Sequence, residues 1–283
     1  MIEQEKVNTS NIVSAEWLSN HLTDPDLIIL DATMKHKPNG DPIESPTLYI
    51  QGALEFNFDT EICDQETELP HMLPSPELFE SAVREIGINK NSTVIVYDAM
   101  GIFSSPRAWW MFKAMGHNNV FVLDGGLPNW LEADFPTQKD VSVKQSHGDF
   151  IADFKSEMIF SAEQVLASID KPKDQIIDAR SQARFNAEEP EPRQGLRGGH
   201  IPSSSCLPFN QLLENGLFKP RVELKKLFQN VVNNSAEKLV FSCGSGVTAS
   251  VLALVADEIG HQNYAVYDGS WSEWGARKDL QIA

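Results

Sequence analysis

Cysteine is scarce, with only Cys63, Cys206 and Cys243 in 283 residues. Three cannot pair off, so no disulfide framework holds this fold, and thiols in a reducing, cytoplasmic setting are expected. Long apolar runs are missing too. No stretch approaches the roughly 18 apolar residues that span a bilayer. Met1 to Ser10 is polar and has neither the apolar stretch of a secretory signal nor the arginines of a transit peptide. Positive charge is in short supply: 23 Lys and Arg face 40 Asp and Glu, a net charge of −17. A nucleic-acid phosphate backbone would be repelled, so no nucleic-acid or membrane partner is expected. An anionic substrate would need a local cluster of arginines to invert the field.

The chain has the length of two domains, and it contains a duplication. Leu123-Asp124-Gly125-Gly126-Leu127-Pro128-Asn129-Trp130 resembles Tyr267-Asp268-Gly269-Ser270-Trp271-Ser272-Glu273-Trp274, 144 residues later. At the same offset Gly116-His117 meets Gly260-His261, and Ile95-Val96-Tyr97 meets Leu239-Val240-Phe241. Upstream the offset is 147, pairing Ser14-Ala15-Glu16 with Ser161-Ala162-Glu163 and Asp31-Ala32 with Asp178-Ala179.

Each half predicts the same elements. A helix capped by Ser14 or Ser161 comes first. A short strand follows at Leu27–Leu30 or Gln175–Ile177, then a long loop and another helix. A buried strand at Thr93–Tyr97 or Lys238–Ser242 leads through a turn into a helix, Pro106–Met115 or Thr248–Glu258. A last strand ends at Asp124 or Asp268. Short apolar strands alternating with helices imply an α/β fold, two tandem domains each with a mostly parallel sheet covered on both faces. The polar, aperiodic stretch 139–157 separates domains at 1–138 and 158–283. The first-half helix with Trp109, Trp110, Met111 and Phe112 is apolar nearly all round, which predicts core or inter-domain packing.

The chemistry concentrates at Cys243-Gly244-Ser245-Gly246-Val247-Thr248, between a strand and a helix. Glycines let backbone N–H groups turn inward. Such a ring of amides at a helix start is a ready anion site, suited to a thiolate nucleophile and to a persulfide. Cysteine phosphatase chemistry needs an arginine six residues after the cysteine, and Ala249 stands there. A phosphate-binding NTPase loop needs Gly-Lys-Ser/Thr, and Gly246-Val247-Thr248 lacks the lysine. In the first half the cysteine is replaced by Ala99, so one active site per chain is expected.

These motifs together resemble the two-domain rhodanese family of sulfurtransferases over nearly the whole chain. The loop after Cys243 is most similar to the branch that uses 3-mercaptopyruvate; the thiosulfate branch has Arg then Lys where Gly244 and Ser245 stand. Asp268 to Trp274 matches the family's end signature, and Asp178-Ala179-Arg180 through Gly199-His200-Ile201-Pro202 matches as well. The resemblance implies that Arg184 and Arg193 hold a substrate's carboxylate and carbonyl oxygens, with Gly244, Gly246, Val247 and Thr248 forming the rest of the binding loop. Arg180 and Arg197 are expected in salt bridges behind the site. His71, in His71-Met72-Leu73-Pro74, would join Ser245 and a carboxylate in a triad; spacing favours Glu61 as the acid, with Asp59 the alternative. Tyr49-Ile50-Gln51-Gly52-Ala53 departs from the family pattern in a loop of structural rather than catalytic weight, and Ser203 stands where the family has glycine.

The expected activity is transfer of sulfur from 3-mercaptopyruvate through a Cys243 persulfide to thioredoxin, a small thiol or cyanide, with release of pyruvate. No metal or organic cofactor is called for. Thiosulfate sulfurtransferase and a non-catalytic sulfur relay are the alternatives. Cys63 and Cys206 read as structural.

Overall fold

Serine caps start the first helix of each half. In the computed structural model, which describes residues 10–143 and 146–283, Ser14 accepts the N–H of Trp17 at 3.1 Å and opens helix Ala15–His21. Ser161 and Gln164 cap each other reciprocally at the start of helix Ala162–Ser168. All of Met1 to Ser10 except Ser10 lies outside the described residues.

Each half builds a five-stranded sheet, every pairing parallel. The first-half strands are β1 (Ile12–Val13), β2 (Leu27–Asp31), β3 (Leu54–Glu55), β4 (Thr93–Tyr97) and β5 (Val120–Leu123). The second-half strands are β6 (Ile159–Phe160), β7 (Asp174–Asp178), β8 (Ser205–Cys206), β9 (Lys238–Ser242) and β10 (Tyr264–Tyr267). The spatial orders, β1-β5-β4-β2-β3 and β6-β10-β9-β7-β8, are identical under the repeat. The central strands were legible because Val94-Ile95-Val96 and their like are buried on both faces. The outer strands β1, β3, β6 and β8 have two residues each, too few to show a period.

Helices Ser105–Ala114 and Ala249–Glu258 follow the central strands and pack against each other across the domain boundary. Both are buried nearly all round, so one hydrophobic core runs through both halves. Trp109 and Trp110 are fully buried there. Each such side chain removes roughly 150–250 Å² from water, about 4–6 kcal/mol, so this interface is not a loose hinge.

The expected linker is partly structured. Gly148 N–H donates to Arg84 O at 2.8 Å, and Phe150, which is buried, donates its N–H to Ile88 O. A Cβ on Gly148 would stand 1.9 Å from Ile88 O, so only glycine fits. The chain thus runs back over the first half before it begins the second. Among the described residues no helix is long and apolar enough to cross a membrane.

Candidate active site

Strand β9 ends at Ser242 and the next helix begins at Ala249, which leaves Cys243 at the head of the connecting loop. Its side chain is buried. The N–H groups of Gly244, Val247, Thr248 and Ala249 find no hydrogen-bond partner among the described residues. The first half shows what such a ring attracts. There Asp98 takes the place of Ser242, and its carboxylate accepts the N–H groups of Met100, Phe103, Ser104 and Ser105 at 2.8–3.1 Å. Those four residues are the repeat equivalents of Gly244, Val247, Thr248 and Ala249. The same loop geometry holds an internal anion in one half and leaves the ring free beside Cys243 in the other.

Cys243 opens onto a cleft of about 330 Å³ between the halves. Gly244, Ser245, Val247 and Thr248 line it, with Arg184 and Arg193 facing them and Met34 and Phe103 contributed by the first half. The arginines divide into three roles. Arg180, in the cleft wall, is fully buried and makes the expected salt bridges, to Asp178 and Glu191, both at 2.7 Å. Arg184 also pairs with Glu191, Nη2 to Oε2 at 2.6 Å, so its charge is already met. Arg193 makes no ion pair among the described residues. Burial and the neighbouring Arg184 hold its guanidinium below the ordinary arginine value, against the pull of Cys243. Two carboxylates thus face three guanidiniums, and the surplus positive charge resides on Arg193. Arg197 was expected in a salt bridge; instead it binds the carbonyls of Trp274, Gly275, Arg277 and Leu280 and ties down the C-terminal segment.

Gly244 explains how closely the arginines approach. A Cβ there would lie 3.3 Å from Arg184 Nη2 and 3.7 Å from Arg193 Nη1. Gly246, also expected to bind substrate, turns the other way. It does not line the cleft, and a Cβ on it would meet Arg107 Nη1 at 2.9 Å.

His71 comes from the first half. The two halves exchange loops: Leu73 N–H donates to Asp268 Oδ2 at 2.7 Å, and Phe218 N–H donates to Asp124 Oδ1 at 3.0 Å. Asp268 and Asp124 are repeat equivalents, so the exchange is mutual. The loop given to the second half carries His71; the one returned carries Asn215 and Gly216. Arg107 secures the first loop. It is fully buried, pairs with Asp268 Oδ1 at 2.7 Å, and donates from Nη2 to His71 O. Arg193 Nη2 reaches both His71 Nε2, at 3.5 Å, and Ser245 Oγ, at 3.4 Å.

The carboxylate at His71 is Asp59, not Glu61. Asp59 Oδ1 lies 3.0 Å from His71 Nδ1, a close contact but poorly aligned as a hydrogen bond. Asp59 Oδ2 accepts the N–H groups of Lys35 and His36. Glu61 is exposed and accepts from Asn57 Nδ2. The residues between form a turn, Ile62 N–H donating to Asn57 O, which carries Glu61 away from His71. Burial raises the Asp59 carboxyl, but His71 and the two N–H groups outweigh it and hold it below the ordinary value. Burial pushes the His71 imidazole down; Asp59 opposes this, and Arg107 and Arg193 add to it. His71 is therefore a neutral base at neutral pH.

Comparison with known proteins agrees with this architecture. A Rhodanese-like domain matches residues 14–133 and again residues 161–277. The chain belongs to the rhodanese-like family. Its relatives include 3-mercaptopyruvate sulfurtransferase of Escherichia coli (strain K12), 40% identical over 279 residues that cover 98% of this chain and 99% of the relative. Thiosulfate/3-mercaptopyruvate sulfurtransferase 1 of Arabidopsis thaliana, a mitochondrial protein, is 39% identical and covers 98% of this chain and 79% of its own length. The crystal structure of SseA from Escherichia coli, described as a 3-mercaptopyruvate sulfotransferase, superposes with a TM-score of 0.82 at 38% identity, over 93% of this chain and 100% of that one.

Within this rhodanese-like site, reading the sequence missed several residues. Arg107 and Asp268 join the halves beneath the loop. Ser272 donates its hydroxyl to Gly244 O at 2.7 Å, and Ser270 accepts N–H groups from the loop itself. The segment Asp268 to Trp274 stood out as a family signature, but its contact with Cys243 is tertiary. Cys63 is buried and Cys206 half-buried, with burial raising both thiols, Cys206 to about 12.

Proposed function

We propose that this protein is a 3-mercaptopyruvate sulfurtransferase that carries sulfur as a persulfide on Cys243. The observation that carries this reading is Arg193. It is a half-buried guanidinium without a carboxylate partner among the described residues, facing Gly244 across the cleft at Cys243. Such a group calls for an anion with planar oxygens, as in an α-keto acid. Arg184, steadied by Glu191, supplies the second contact, so the donor is oriented before reaction.

The Cys243 thiolate attacks the donor sulfur. The S–S bond forms as the carbon–sulfur bond breaks, and its electron pair passes to the enolate of pyruvate. The enolate takes the proton of the transferred S–H group and becomes pyruvate, leaving the persulfide anion among the N–H groups of Gly244, Val247, Thr248 and Ala249. Ser245 and His71, both within reach of Arg193 Nη2, with Asp59 against His71 Nδ1, are the groups that polarise the donor carbonyl or relay the proton, with neutral His71 as the base. An acceptor thiolate, from thioredoxin or a small thiol, then attacks the outer sulfur. Cys243 leaves as thiolate and the acceptor departs as the persulfide.

Thiosulfate, which the name of the Arabidopsis relative includes, is the weaker donor on this reading, because no cationic side chain follows Cys243 directly. The test is a paired steady-state assay with 3-mercaptopyruvate and thiosulfate on wild type and Cys243→Ser. Preference for mercaptopyruvate together with a dead variant supports the proposal. Preference for thiosulfate refutes the choice of donor, and full activity of the variant refutes the chemistry.

A further inference from the structure

We infer that Ser270 is a positioning residue for sulfur transfer, one that shapes the Cys243 loop through its backbone without touching substrate; this rests on the function proposed above. Ser270 is fully buried. Its Oγ accepts the N–H of Cys243 at 3.2 Å and the N–H of Gly246 at 3.1 Å, and donates to Tyr267 O at 2.7 Å. A hydroxyl has one donor and two acceptor positions, and all three are used.

The backbone of Ser270 is left-handed, φ +48°. Its repeat equivalent is Gly126, at φ +53°. The fold needs this conformation in both halves, and the non-catalytic half fills it with the residue that adopts it freely. The catalytic half places a side chain where a Cβ is disfavoured. The hydroxyl is what it gains.

The two halves also differ in where the first loop amide goes. In the first half Ala99 N–H donates to Thr33 Oγ1 at 2.9 Å. Thr33 corresponds to Arg180, whose guanidinium can accept nothing. With that acceptor gone, Ser270 takes the N–H of Cys243 instead and binds Gly246 with the same oxygen. Two loop amides are thereby occupied by Ser270, and those of Gly244, Ser245, Val247, Thr248 and Ala249 are left without a partner among the described residues. Without the hydroxyl, two buried N–H groups lose their acceptor and the loop must shift to find others.

The test compares wild type, Ser270→Gly and Ser270→Ala. Single-turnover reaction with 3-mercaptopyruvate is followed by pyruvate release and by the mass of the Cys243 persulfide. Hydrogen exchange is measured in parallel on peptides spanning the loop. Both variants lack the hydroxyl, but only alanine keeps the strained backbone. Both are expected to form persulfide about 10- to 100-fold more slowly, the penalty typical of a slightly misplaced reacting group. KM should stay near wild type because the arginines are untouched, and loop exchange should quicken. Ser270→Gly should unfold later than Ser270→Ala, since both lose the hydroxyl and only glycine adopts the left-handed backbone freely. A wild-type rate in Ser270→Ala, a change confined to KM, or unchanged loop exchange overturns the inference. If wild type itself forms no persulfide, the proposed function fails, and the exchange comparison alone still decides whether Ser270 tethers the loop.

Discussion

Arg193→Met is the substitution that separates binding from architecture. It keeps most of the apolar stem and removes the one guanidinium lining the cleft that lacks a carboxylate among the described residues. A hydrogen bond to a charged group contributes about 1.5–3 kcal/mol, so kcat/KM for 3-mercaptopyruvate should fall by about 10- to 150-fold. The fold should not suffer, because Arg193 is desolvated without an ion pair in return. Arg180→Met offers the contrast. It would strand the buried carboxylate of Asp178, leave Glu191 to Arg184 alone, and cost about 3–5 kcal/mol of stability. The assays are steady-state kinetics with mercaptopyruvate and denaturant unfolding of both variants. If Arg193→Met retains wild-type kcat/KM, or loses as much stability as Arg180→Met, the assignment of Arg193 to substrate is wrong.

Other outcomes follow from the same geometry. Asp59→Asn should lower kcat and move its pH profile, whereas Glu61→Gln should leave both at wild type; kinetics across pH tells them apart. His71 has a folded pKa below its unfolded value, so the stability it contributes is fully present above about pH 6.5 and is lost as pH falls through the folded value. Melting temperature followed from pH 7 downward should therefore fall less steeply in His71→Asn, a residue that tolerates the same left-handed backbone. Asp59 is depressed as well, so its contribution is lost only at more acidic pH, within the carboxylate range. Ala99→Cys should acquire no second persulfide by intact mass, because Asp98 already fills the amide ring there; labelling of the introduced thiol by donor sulfur would contradict that account.

The duplication was open to reading because its segments keep both residue identity and order, and a central strand buried on both faces advertises itself by composition. Cys243 was legible for a similar reason: strand, glycine-rich turn and helix are local, and the chemistry of such a loop depends on few residues. The carboxylate beside His71 was not. Asp59 and Glu61 are two residues apart, and one turn beginning at Asn57 decides which of them reaches His71. Nor could spacing show that Glu191 occupies Arg184 and leaves Arg193 free, since both arginines lie within reach of the same acidic stretch in the chain.

By itself the sequence determined the tandem α/β architecture, the place of Cys243 between a strand and a helix and the residue types of its loop, because those rest on periodicity, local backbone chemistry and an internal repeat. The tertiary structure alone decided the rest. It brings His71 across the domain boundary on an exchanged loop, fills one amide ring with Asp98 while leaving its counterpart open, turns Gly246 toward Arg107, and sets Ser270 against the backbone of Cys243. Each of these depends on which groups meet after the chain has folded. A hydrogen bond or ion pair is set by distance and direction in space, and a linear pattern does not contain them.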